Sequence, residues 1–105
     1  MRGVHRLAVA VLLPCCAAAA ELSPELWDRP RSASAVMAQG AIRQVVAEYH
    51  ARPASRLVIV HDGRQATQMQ AEELRAWLVA LAVDAERLSL RAESAAAGLR
   101  IEVVD

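Results

Sequence analysis

Two stretches of helical periodicity stand on either side of a short β-branched run. This alternation restricts the chain to folds that pack helices on a sheet. The run is RLVIV, residues 56–60. Four consecutive apolar residues suit a central strand buried on both faces, since a strand with one wet face alternates polar and apolar. His61, Asp62 and Gly63 end it. Upstream, residues 35–51 set Ile42, Val45, Val46 and Tyr49 at i, i+3, i+4 and i+7, one apolar stripe of a helix. Ser32 or Ser34 can cap that helix, and Pro53 stops it by disfavouring helical geometry at Arg52. Gly40 weakens its first turns. Downstream, residues 67–83 repeat the stripe with Leu74, Trp77, Leu78 and Leu81, and Thr67 to Gln70 fit a capping box.

The remaining segments complete a small sheet. Residues 21–34 hold two prolines and three serines, a lead-in with a short extended piece expected at Glu25-Leu26-Trp27. Leu88-Ser89-Leu90 follows the second helix, Gly98 marks a turn, and residues 99–104 alternate apolar side chains at 99, 101 and 103. The expected fold class is α/β (α+β): a two-layer domain of order β-α-β-α-β-β, with two helices packed on a mixed sheet. Its length, 105 residues, suits one domain, over residues 35–105.

The first twenty residues are organised differently. Arg2, His5 and Arg6 form a basic start, LAVAVLL an apolar stretch, and Ala18-Ala19-Ala20 a small-residue site. That layout is expected of a secretory signal peptide cleaved after Ala20. The apolar run is short for a membrane span, which needs about 20 residues. A periplasmic chain with no membrane span after cleavage is therefore expected. Cys15 and Cys16 would leave with the leader, so the processed domain would hold no disulfide and no thiol nucleophile. Ten Arg would face twelve acidic side chains, with no basic excess that points to nucleic acid. Arg supplies every positive side chain, and Ala much of the 55% hydrophobic share, so the core rests on Leu, Ile, Val, Met, Trp77 and Tyr49.

Several local patterns together resemble the OmpA-like peptidoglycan-binding domain of bacterial envelope proteins. Trp27-Asp28 and Ser34-Ala35 stand where that family has an aromatic-Asp start and a Ser-Ala stretch. Leu57-Val58-Ile59-Val60-His61-Asp62 stands for its β-run ending in Gly-His-Thr-Asp. Arg75-Ala76 matches its Arg-Ala pair, and Ala82-Val83-Asp84-Ala85-Glu86-Arg87-Leu88 its Gly-Val-x-x-x-Arg-Leu pattern. The resemblance spans most of residues 26–92. It implies binding of the peptide stem of peptidoglycan, with Asp62 meeting the ammonium and Arg75 the carboxylate of the stem's zwitterionic end. This sequence departs from the pattern around His61-Asp62, where the Gly and Thr are missing. The following loop is about two residues short, Gln68 stands near the place of an ordering Asn, and Glu72 would repel a ligand carboxylate.

Other chemistries lack their patterns. His50 and His61 have no metal-ligand spacing, so no metal or cofactor is expected. His61-Asp62 has no nucleophile motif to serve, and no Gly-rich phosphate loop is present. The expectation is a non-enzymatic binding or adaptor module of the cell envelope, contacting peptidoglycan or an envelope protein. A subunit with a decayed ligand site is the alternative.

Overall fold

The computed structural model describes residues 18–105. Three helices pack on one face of a four-stranded mixed sheet, so the structure is a small α+β domain. The strands are β1 (Ala18–Glu21), β2 (Arg56–His61), β3 (Leu88–Ala92) and β4 (Arg100–Val104), in the spatial order β1-β4-β2-β3. β2 runs parallel to β3 and antiparallel to β4, and β4 is antiparallel to β1. The helices are α1 (Ala33–Met37), α2 (Gly40–Ala51) and α3 (Gln65–Ala80).

β2 is central, as its apolar run predicts, with Leu57 to Val60 all buried. Its two faces are covered by different means. Leu57 and Ile59 join Ile101, Val103 and Leu88 beneath the helices. α2 contributes Ile42, Val45 and Tyr49, and α3 contributes Ala71, Leu74 and Leu78. Val58 and Val60 point to the opposite face, where none of the helices among the described residues packs. In the sheet register Val60 lies between Arg91 on β3 and Arg100 on β4. Glu93 and Glu102 bridge these two arginines at 2.8 to 3.0 Å. Val60 is fully buried, and long arginine stems beside it are the kind of side chain that covers apolar surface while the charged heads stay wet.

Three local expectations are corrected. The first strand lies at Ala18–Glu21, not at residues 25–27. Pro24–Asp28 instead form a 3-10 helix whose cap is Ser23, with Glu25 N–H donating to its Oγ at 3.3 Å. The early proline supports that turn, since its fixed φ suits a helix start. The first long helix is two helices, because Gln39 is extended and caps α2 without a side-chain bond. Ser32 caps α1, its Oγ accepting from Ala35 N–H at 3.1 Å. Finally, α3 starts at Gln65, two residues before the expected capping box. Thr67 is therefore inside the first turn, and its hydroxyl is used differently.

α3 ends in a Schellman motif. Val83 N–H donates to the Leu78 carbonyl and Ala82 N–H to the Val79 carbonyl, both at 3.0 Å. The residue between helix and strand, Ala82, takes φ of 74°. That is the left-handed conformation glycine adopts without steric cost, and the resemblance places a Gly at this position. Val83 and Leu78, both buried, supply the apolar contact that accompanies the motif.

Candidate functional site

Asp62 sits where β2 gives way to α3. One carboxylate oxygen accepts from Arg64 N–H at 2.9 Å and from the Thr67 hydroxyl in a short hydrogen bond. Arg64 Nε lies 4.0 Å from the other oxygen. The Thr67 hydroxyl and the Arg64 amide together hold the Asp62 carboxyl below its ordinary range, because both favour its charged form. Asp62 thus acts as an anionic cap for α3, close to the positive end of the helix dipole. The side chain is only 15% exposed.

Arg75 lies elsewhere. The roughly 1.5 Å rise per helical residue puts it about 12 Å along the α3 axis from Thr67. Its Nη2 donates to the Ala85 carbonyl at 3.2 Å, in the short 3-10 turn that leads into β3. Leu88 pairs with Leu57 at the start of β2, whereas Asp62 follows the last residue of β2. Asp62 and Arg75 therefore face opposite ends of the sheet, and the structure does not bring them together. Glu72, between them in sequence, is exposed and approached by Gln68 Nε2 at 3.5 Å.

The histidines are also apart. His61 is buried at the end of β2, and its Nδ1 accepts from Gly63 N–H at 3.2 Å. His50 is exposed on α2, edge-on to Tyr49 at 5.2 Å. Among the described residues no group of three His, Cys, Asp or Glu side chains could hold a metal ion. Among the same residues no helix is long and apolar enough to cross a membrane.

A polar constellation that the sequence reading missed lies across the lead-in and α3. Arg31 grips Glu73 with two hydrogen bonds, Nε to Oε2 at 2.9 Å and Nη2 to Oε1 at 2.8 Å. Trp77 Nε1 donates to the same Oε2 at 3.1 Å. The Arg31 guanidinium stands 5.3 Å from the Trp27 ring centroid, within cation–π range. These bonds hold the Glu73 carboxyl below its ordinary range, Arg31 being the main cause and Trp77 a lesser one. Beside the ion pair is an open groove of about 320 Å³, with Trp27, Arg31, Met69 and Glu73 on its walls. Met69 is 64% exposed there. Two i,i+4 spacings, Trp27 to Arg31 and Glu73 to Trp77, were the available signals. Neither reveals that the two pairs meet across 42 residues of chain.

No family model, curated protein or solved structure matches the chain.

Proposed function

We propose that this chain is an exported, non-catalytic adaptor module of OmpA-like fold in the bacterial periplasm, and that its partner is an envelope protein. One observation supports the protein partner over the peptide stem of peptidoglycan. The two side chains that would share a zwitterionic ligand are each engaged within the fold, at opposite ends of α3. A stem ligand reaching Asp62 would have to compete with the cap of α3 and would find no guanidinium within reach from Arg75. Direct wall contact remains the second reading, favoured by an Asp62 carboxylate held in its charged form at a strand end.

Co-sedimentation of the purified exported protein with isolated peptidoglycan sacculi separates the two. The adaptor reading expects wild type, Asp62→Ala and Arg75→Ala to stay alike in the supernatant. Pelleting of wild type that both substitutions abolish would instead establish the wall-binding site.

A further inference from the structure

The sheet ends on β3, and among the described residues no strand pairs with its outer edge. The inner edge is fixed by the ladder to β2, which Glu93 continues by donating its N–H to the His61 carbonyl at 2.8 Å. Backbone groups of alternate residues face the same side of a strand. Those of Ser89 and Arg91 therefore face β2, and those of Leu88, Leu90 and Ala92 face outward. Leu88 N–H is taken by the Ala85 carbonyl, whereas the amides of Leu90 and Ala92 point out from the edge. Such an edge is a template for another strand unless charge, proline or a bulge guards it. β3 has no proline, and its one charged side chain, Arg91, does not guard it. The Arg91 guanidinium turns inward across β2 to Glu102 on β4, at 3.0 Å, and to Glu93 at 2.8 Å. Leu90, half-buried against the core, stands at the middle of the strand.

The flank of α3 above this edge has its own pattern. Gln68, Glu72, Arg75 and Val79 fall at i, i+4, i+7 and i+11, a stripe beside the buried one of Ala71, Leu74 and Leu78. On the other side of the buried stripe, Glu73 and Trp77 are held against the lead-in. The bond from Arg75 to the Ala85 carbonyl sets the first stripe on the β3 side. Val79 is 40% exposed there. Glu72 lies about 4.5 Å along the axis from Arg75. Two such flanks running antiparallel set Glu72 of each against Arg75 of the other.

We propose that the protein forms a symmetric dimer in which β3 pairs antiparallel with β3 of a second copy, about a two-fold axis at Leu90. Leu90 faces outward, so the two copies of it exchange both backbone hydrogen bonds, and Ala92 N–H reaches the Leu88 carbonyl of the other copy. Arg91 then stands opposite Ser89 rather than another arginine. The charges that flank the strand, Arg87 before it and Glu93 after it, are opposite in sign and meet at each end. α3 lies over β2 and β3, so strand spacing of about 4.8 Å sets the two α3 helices roughly 10–14 Å apart, a gap that Glu72–Arg75 pairs span. A second copy fits this edge better than an unrelated strand, because backbone register and charge are both self-complementary, as a two-fold interface requires. The inference is independent of the export and adaptor readings.

The test is the mass of the purified protein in solution, by sedimentation equilibrium over a range of concentrations. Wild type should approach twice the mass of the chain. Glu72→Arg should weaken association roughly tenfold, by setting like charges face to face, and Glu72→Arg combined with Arg75→Glu should restore it. Leu90→Pro removes the amide at the axis without touching the ladder to β2, and should give a monomer whose circular dichroism matches wild type. Should that variant fail to fold, the charge exchange on the exposed helix flank decides alone. A wild type that stays monomeric throughout overturns the proposal. So does a dimer that Glu72→Arg leaves intact, or one that the exchange does not restore.

Discussion

Arg31 and Glu73 form a two-pronged ion pair that fastens the lead-in segment to the middle of α3, with both tryptophans of the chain beside it. Bidentate geometry is what distinguishes such a pair from an ordinary surface contact. Glu73 has its carboxyl held down in the folded state, so its contribution is present above the ordinary glutamate range and is lost as pH falls through the lowered value. Glu73→Gln should therefore be less stable than wild type at neutral pH, with the gap closing on acidification below that range. Urea midpoints measured at a series of pH values test this. Tryptophan emission should change over the same pH window. A gap that does not vary with pH would remove the ion pair from the account.

Ala82 invites the opposite kind of substitution. It holds φ of 74° in the Schellman motif that ends α3, where a β-carbon crowds the backbone. Ala82→Gly should stabilise the protein by about 1 kcal/mol, the strain relieved exceeding the added freedom of the unfolded chain. The expected sign is a higher urea midpoint at unchanged slope. A loss of stability would mean that the backbone accommodates Ala here without strain.

Asp62 caps α3 together with Thr67, and the cap can be dissected without removing the carboxylate. Thr67→Val deletes the hydroxyl but keeps the shape, and should cost about 1 kcal/mol. Asp62→Asn should also destabilise at neutral pH. Because the folded carboxyl is held low, its advantage over Asn should fade as pH drops through the ordinary aspartate range and below. Denaturant midpoints of both variants at pH 7 and under acid conditions decide the matter. If Thr67→Val matches wild type, the hydroxyl is not part of the cap.

What was legible in the chain was periodic. The stripes Ile42-Val45-Tyr49 and Leu74-Leu78 and the alternation 99, 101, 103 all proved to face one core, because period alone decides which side chains share a face. The first strand was not legible. Ala18 to Ala20 have no alternation and little strand propensity, and their pairing is imposed by the exposed edge of β4. The break at Gln39 was also hidden, since no proline marks it. The candidate site depended on long-range geometry. Asp62 and Arg75 are 13 residues apart, a spacing that leaves open whether their heads converge. The direction of α3 along the sheet, and the Ala85 carbonyl waiting at its far end, separate them.

The open face of the sheet makes a last prediction, which turns on stems rather than charges. Val60 is fully buried although none of the helices among the described residues covers it, and Arg91 and Arg100 are its cross-strand neighbours. If their methylenes do the covering, Arg100→Met should be close to wild type, whereas Arg100→Ala should be clearly less stable, with Arg91 following the same order. If the charges dominate, Met and Ala should be equally damaging, and added salt should weaken wild type most. The Glu93 carboxyl is held low chiefly by Arg100 and then by Arg91, so any charge contribution should fade as pH falls through and below the ordinary glutamate range. Urea midpoints of the four variants, at low and high salt, distinguish the two mechanisms. The expected order is wild type near Met, with Ala below both and little salt dependence, because solvent screens exposed ion pairs but cannot replace a missing hydrocarbon stem.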